Sequence, residues 1–315
     1  MNMTRSSILA VAAGVFGGLL LLAATKASLF GTLFGLLFSP LPLLMTGLAL
    51  GTSYLPLAVV GGTLAVAIMS GSIALGFVYL VVDAAPAAVI TKLALTNGIG
   101  PHAKGGWSGS GPIPAWLAIA AVVLMGAGLA TMPAANGLES TIRSRLEEIL
   151  QGTGTLVDSS QRDQLMQSMA AMLPGAAMWN WSGRALISAV LAQWAVTRLN
   201  HNMRPAPSYR CMELPGWYMV GFWLAAIAAW VLPGDTGYMA TNMAVALSLP
   251  VLLQGLAVIH TGTSRFESGG LWLALFYILF LLTFGLSFLV VVSLGVMDHL
   301  LRIRRRIDPQ SWENE

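Results

Sequence analysis

The chain has 315 residues, of which 56% are hydrophobic and only 9% charged, with a formal net charge of +3 and a mean hydropathy of +0.75. Soluble domains carry about 25% charged residues, so an ordinary soluble protein is excluded, and apolar residues in long runs rather than in alternation exclude a transmembrane barrel. The composition leaves an all-α, polytopic transmembrane helical bundle. It reads as a single integral membrane domain over residues 1–315, with about eight spanning helices and lipid as its first partner. The lone Cys211 excludes an intramolecular disulfide and any multi-cysteine metal site. Basic residues cluster in loops and at the C-terminus, a pattern that fits membrane topology rather than nucleic-acid binding.

An apolar run from Ile8 to Ala24 follows Arg5. It exceeds the ~7–15 residues of a signal-peptide core and has no good A-x-A site before Ser28, so it reads as a retained first helix over 8–25. Ala10, Gly14 and Gly18 recur every four positions. Such a stripe lets another backbone approach closely, either within the protein or in a partner subunit that docks there. A second helix over 29–50 is interrupted by Ser39-Pro40-Leu41-Pro42, and the freed carbonyls must be buried in protein or wetted by a cavity. Helices over 55–70 and 72–95 form a hairpin across Ser70-Gly71-Ser72.

Asp83 lies inside the fourth helix, three residues before Pro86. An intramembrane carboxylate is a functional candidate by default; the structural alternative is pairing with Arg184 or capping the Pro86 break. The Gly-rich stretch 96–113, with His102, Lys104 and Trp107, contains neither a Walker pattern nor GxGxxG and reads as a flexible connection. A fifth helix covers 114–132.

Residues 136–170 are a polar amphipathic insertion. Ile142, Leu146, Ile149 and Leu150 share one helical face, and Asp158-Ser-Ser-Gln161 reads as a capping box that opens a second short helix. The next helix, over 173–199, organises the chain. It carries Trp179, Asn180, Trp181, Arg184 and Gln193 in an otherwise apolar segment of spanning length. Arg184 is nine residues past Gly175, so at ~1.5 Å per residue it sits near mid-membrane. A guanidinium at that depth costs ~2.5–3.5 kcal/mol on insertion scales and must face protein or water.

A seventh helix covers 216–232. Residues 241–260 carry Asn242, Pro250, Gln254 and His260, and 270–299 form a long apolar run before RIRRR. With the N-terminus inside, positive-inside weighting agrees for the loops of Lys92 and Lys104, of residues 136–170, of Arg198, Arg204 and Arg210, and of Asp235. The same count puts Arg302 to Arg306 outside. Making 241–260 re-entrant restores agreement, with both termini cytoplasmic and 300–315 a basic cytoplasmic tail; the alternative, 270–299 folding back on itself, is disfavoured because two crossings need roughly 40 residues.

LP at 173–174, LAQW at 191–194, RP at 204–205, LPGW at 214–217, LLQGLAVIH at 252–260 and LGVMD with RIRRR at 294–306 together resemble the YybS-like family of uncharacterised bacterial membrane proteins. The resemblance implies an inner (plasma) membrane protein of unestablished activity. It also implies a distant similarity to the substrate-binding subunits of energy-coupling-factor vitamin transporters. Those bind a small molecule between helices and dock through small residues of their first helix, as Ala10, Gly14 and Gly18 are in kind.

Two functions follow. A ligand-binding or transport component would line a cavity with Trp179, Asn180, Trp181, Arg184, Gln193, Asn242 and Gln254, with Arg184 neutralising an anionic group. A structural or assembly scaffold would hold partners in the membrane and show filled helix packing with exposed small-residue stripes; for each lining residue the structural alternative is glue between helices. An enzyme is not expected, since HExxH, paired acids and a Ser–Lys dyad are absent from the membrane segments. No cofactor or metal site is expected either.

Overall fold

A computed structural model describes residues 3–26, 28–96, 109–132, 137–150 and 159–308. Every regular element among them is helical. Six helical spans are long and apolar enough to cross a membrane: Met3–Ala24, Leu29–Leu50, Ile73–Ala94, Pro112–Ala130, Gly234–Thr263 and Phe284–Leu301. Shorter apolar helices cover Leu55–Ser70, Gly216–Val231 and Gly269–Leu282. The protein is therefore a multi-pass membrane protein of the helical class. Most of the Gly-rich stretch, and Asp158 of the expected capping box, lie outside the described residues.

Contacts divide the chain into two compact units. The first comprises Met1–Leu117 and Trp181–Glu213; the second comprises Ala118–Asn180 and Leu214–Trp312.

In the first unit, α1 (Met3–Ala24) lies against α4 (Leu55–Ser70). The contact exists because small residues face each other. A Cβ added to Gly14 would overlap the carbonyl of Ala58, and one on Gly18 would come within 2.9 Å of Gly62 O. The stripe Ala10, Gly14 and Gly18, read as a partner-docking candidate, is buried and filled by the chain's own α4. Tyr79 Oη, also buried, donates to Gly14 O across the same seam at 3.2 Å.

The second span is split into α2 (Leu29–Phe38) and α3 (Leu41–Leu50) at Ser39-Pro40. Proline has no N–H to offer the carbonyl four residues back. Pro42 is in the first turn of α3, where its missing donor is spare anyway. The fourth helix of the sequence reading is also broken. α5 (Ile73–Tyr79) passes through a π turn at Leu80–Ala84 into α6 (Ala85–Ala94).

In the second unit, α7 (Pro112–Ala130) is followed by α8 (Leu138–Leu150), whose N-terminus is capped by Asp235 Oδ1 accepting from Leu138 N–H at 2.8 Å. The second amphipathic helix expected before residue 173 is not separate. One helix, α9 (Ser159–Arg198), runs 40 residues through Pro174, and the unit division falls within it.

α10 (Gly216–Val231) packs on α11 (Gly234–Thr263), which runs 30 residues without interruption. The re-entrant expectation for 241–260 is thus corrected: Pro250, Asn242 and Gln254 sit inside a continuous helix. The 270–299 run is broken instead, into α12 (Gly269–Leu282) and α13 (Phe284–Leu301) at Thr283, whose φ of −116° and ψ of 36° leave the helical region. α11 and α13 meet through glycines, since a Cβ on Gly255 or Gly295 would overlap the carbonyl of Val291 or Val251. The short α14 (Ile303–Ile307) ends the described chain.

Candidate functional site: an arginine at two broken helices

The first unit gathers its polar side chains where α2 breaks and where the π turn precedes Pro86. The carbonyl of Leu36 is four residues before Pro40, and that of Val82 is four before Pro86, so neither has its usual helical donor. Arg184 reaches both: Nη1 donates to Leu36 O and Nη2 to Val82 O. Nη1 also donates to Asp83 Oδ1 at 2.9 Å, an ion pair in which Arg184 is 10% exposed and Asp83 is fully buried.

Two further donors from α9 complete the arrangement. Ala85 N–H bonds to Leu80 O in the π pattern, and the next donor along is the missing one of Pro86. The carbonyl of Val81 is therefore left over, and Trp181 Nε1 donates to it at 3.1 Å. Ser188 Oγ donates to Leu37 O at 2.6 Å, and the Ser39 hydroxyl lies 3.4 Å from Arg184 Nη1. The planar fork of a guanidinium suits this task, because its donors diverge in a fixed geometry. Of the two alternatives for Asp83, the structure shows the pairing with Arg184. One carboxylate oxygen, Oδ2, is buried without a hydrogen-bond partner.

Gln193 takes no part in this cluster. Its Nε2 donates to Arg204 O at 3.3 Å and to Thr197 Oγ1 at 3.3 Å. Arg204 itself is buried and donates through Nη1 to Ala94 O at 2.9 Å, which caps the C-terminus of α6. Burial pushes the Arg204 guanidinium below its usual pKa range.

The remaining expected lining residues belong to the second unit and enter separate clusters. Pro174 leaves Ala170 O without its helical donor, and Tyr238 Oη donates to that oxygen at 2.8 Å. Asn242 Oδ1 accepts from Gly175 N–H at 2.8 Å, while its Nδ2 donates to Ala171 O at 3.0 Å and Tyr238 O at 3.0 Å. Gly175 admits this approach because a Cβ would come within 2.5 Å of Asn242 O. Tyr218 Oη donates to Leu247 O at 2.6 Å.

Gln254 joins a buried ion pair that sequence reasoning missed. Its Nε2 donates to Asp298 Oδ2 at 3.0 Å, and its Oε1 accepts from Leu214 N–H at 3.3 Å. Asp298 pairs with Arg304, Nη2 to Oδ2 at 2.8 Å, and Oδ1 accepts from Arg304 N–H at 2.9 Å. Arg304 is 1% exposed, so the basic run is not wholly a tail signal. The turn is made at Arg302, whose φ of 51° is left-handed and folds the following residues back. An aspartate at the end of an apolar run, six residues before an arginine, was the available clue.

Trp179 is half-buried against Phe288, with ring centroids 6.3 Å apart, and its Nε1 is buried without a partner. Asn180 is exposed. Among the described residues no group of three or more His, Cys, Asp or Glu side chains could hold a metal ion. His260 instead pairs with Tyr277 Oη at 2.8 Å. The first unit also has an open apolar groove of about 550 Å³ lined by residues such as Phe16, Leu20, Phe34, Phe38 and Pro42.

Residues 16–299 match the family model described as "Predicted membrane protein (DUF2232)". The chain belongs to this family. The match covers every helix that contributes to the Arg184 cluster and most of the Asp298 cluster of this DUF2232 chain, but not Arg304. No curated protein and no solved structure matches it.

Proposed function

We propose that the protein is a non-enzymatic, multi-pass scaffold of the bacterial inner membrane, which holds partner proteins through its lipid-facing helices. The observation that carries this reading is the engagement of Arg184. Its guanidinium answers two proline-orphaned carbonyls and a carboxylate, which leaves no free charge for an anionic ligand. Gln193, Asn242 and Gln254 are likewise engaged within the chain. Meanwhile α2 and α12 have no buried residue at all, so their apolar surfaces are available in the bilayer.

The test is site-specific photocrosslinking in native membranes from exposed positions Leu279 and Phe30, with Arg302 as a polar control position. A scaffold gives a discrete, position-dependent adduct with another membrane protein. Adducts with lipid alone at both apolar positions contradict it.

A second reading is a small-molecule-binding or transport component, in line with the implied likeness to energy-coupling-factor substrate-binding subunits. It is favoured by a buried polar atom in the first unit that lacks a hydrogen-bond partner, Asp83 Oδ2. Thermal-shift screening of the purified protein against vitamins, nucleobases and ions tests it, and stabilisation that survives Arg184→Lys excludes an Arg184-centred site. Both readings take the N-terminus as cytoplasmic, supported by Arg198, Arg204 and Arg210 falling in one loop. Reporter fusions at each end check that orientation.

A further inference from the structure

We propose that Asp83 Oδ2 is a proton-binding site within the membrane, coupled to the π turn on which Asp83 sits. The carboxylate is fully buried, and its two oxygens differ in circumstance. Oδ1 accepts from Arg184 Nη1 at 2.9 Å, whereas Oδ2 makes no hydrogen bond of ordinary geometry, the Ser39 hydroxyl being the nearest other donor that bears on the carboxyl. A buried carboxylate oxygen without a donor carries a desolvation cost that a bound proton removes.

A metal cation is the weaker occupant. The carbonyls of Leu36, Val81 and Val82, which would have to complete its shell, already accept from Arg184 and Trp181. The charged and titratable groups that face Asp83 are few. They are Arg184 from α9 and the phenol of Tyr79 from the adjoining α5, with the Ser39 hydroxyl of the α2–α3 break beside them. α2, α3 and α4 carry no ionisable side chain other than hydroxyls, and on α6 Lys92 is nine residues away and exposed.

The consequence follows from the same contacts. With Asp83 ionised, Arg184 is held by a charge-assisted bond as well as by two carbonyls. Proton uptake at Oδ2 neutralises the carboxyl, so the bond from Arg184 Nη1 to Oδ1 loses its charge assistance, while those to Leu36 O, Val82 O and Ser39 Oγ remain. One of the fixings of the π turn is thereby weakened. Trp181, whose indole bonds to Val81 O, is the built-in reporter of that change. The inference goes beyond the scaffold reading and holds whether or not a partner protein is found.

The test uses the full chain in lipid nanodiscs. Infrared difference spectroscopy across a pH titration should show the C=O band of a protonated, buried carboxylic acid that shifts on H/D exchange. The band should vanish in Asp83→Asn and persist in Asp298→Asn. Trp181 emission should change over the same pH interval in the wild type and become pH-independent in Asp83→Asn. Should either variant fail to fold, carbon-13 aspartate labelling of the wild type reads the Asp83 carboxyl carbon directly by solid-state NMR. A carboxyl signal for Asp83 that stays in its ionised position throughout the titration overturns the proposal, as does a protonated-acid band unaffected by Asp83→Asn.

Discussion

Arg184 donates to the carbonyl of Leu36, the acceptor that Pro40 deprives of its helical partner. The same guanidinium serves Val82, four residues before Pro86, so one side chain repairs two proline breaks on different helices. In an apolar interior each unsatisfied backbone group costs several kcal/mol, and the buried arginine is tolerated because it answers two of them and a carboxylate at once. Tyr238 and Asn242 do the equivalent work at Pro174.

Removing Arg184 leaves Asp83 as an unpaired buried charge, and breaking such a pair costs ~3–5 kcal/mol. Arg184→Ala should therefore lower stability by about that much in detergent unfolding. Arg184→Lys should recover only a minor part, because a single ammonium cannot fork to Leu36 and Val82 together. Full recovery by lysine contradicts the bridging role.

Asn242 replaces one rung of the α9 ladder, accepting from Gly175 N–H and donating to Ala171 O. Asn242→Leu should cost ~1–3 kcal/mol, the penalty of buried groups left unmade. Tyr238→Phe should cost less in a Pro174→Ala background, where Ala170 O regains a backbone donor. Equal costs in both backgrounds speak against this role for Tyr238.

Gly14 and Gly126 are a matched pair for the packing claim. A Cβ at Gly14 overlaps the Ala58 carbonyl, whereas nothing lies within 4 Å of one at Gly126. Gly14→Ala should lower the melting temperature clearly, by an overpacking cost of ~1–3 kcal/mol, and Gly126→Ala should be neutral or slightly stabilising. The reverse order refutes the α1–α4 seam.

Arg304 differs from its neighbours although the run is uniform in sequence. Arg304→Ala strands the Asp298 carboxylate and should cost ~3–5 kcal/mol, while exposed Arg302 and Arg306 should tolerate alanine in a stability assay. Equal tolerance at all three positions contradicts the buried pair.

Local rules reached the helices, the Ser39–Pro42 break and the two intramembrane charges, because hydropathy, proline and charge act within a few residues. The pairing of Arg184 with Asp83 was legible as an alternative, since each charge needed company and few others were available. The partners of Asn242 and Gln254 were not legible, because which carbonyl an amide meets depends on packing 40 or more residues away. The uninterrupted α11 was misread for a related reason. Pro250 reads as a break in sequence, yet the helix runs on through it from Gly234 to Thr263. Arg304 was hidden inside a basic run whose average character is that of a topology signal, and only the left-handed turn at Arg302 singles it out.

The most direct test of the account is a thermodynamic cycle between Arg184→Ala and the paired change Pro40→Ala with Pro86→Ala, measured as unfolding free energy in one lipid or detergent. Restoring the two backbone donors should make the arginine less necessary, giving a coupling within the ~0.5–3 kcal/mol range of interacting sites. Strict additivity, with Arg184→Ala costing the same whether or not the prolines are present, would contradict the claim that Arg184 is there to complete the broken helices.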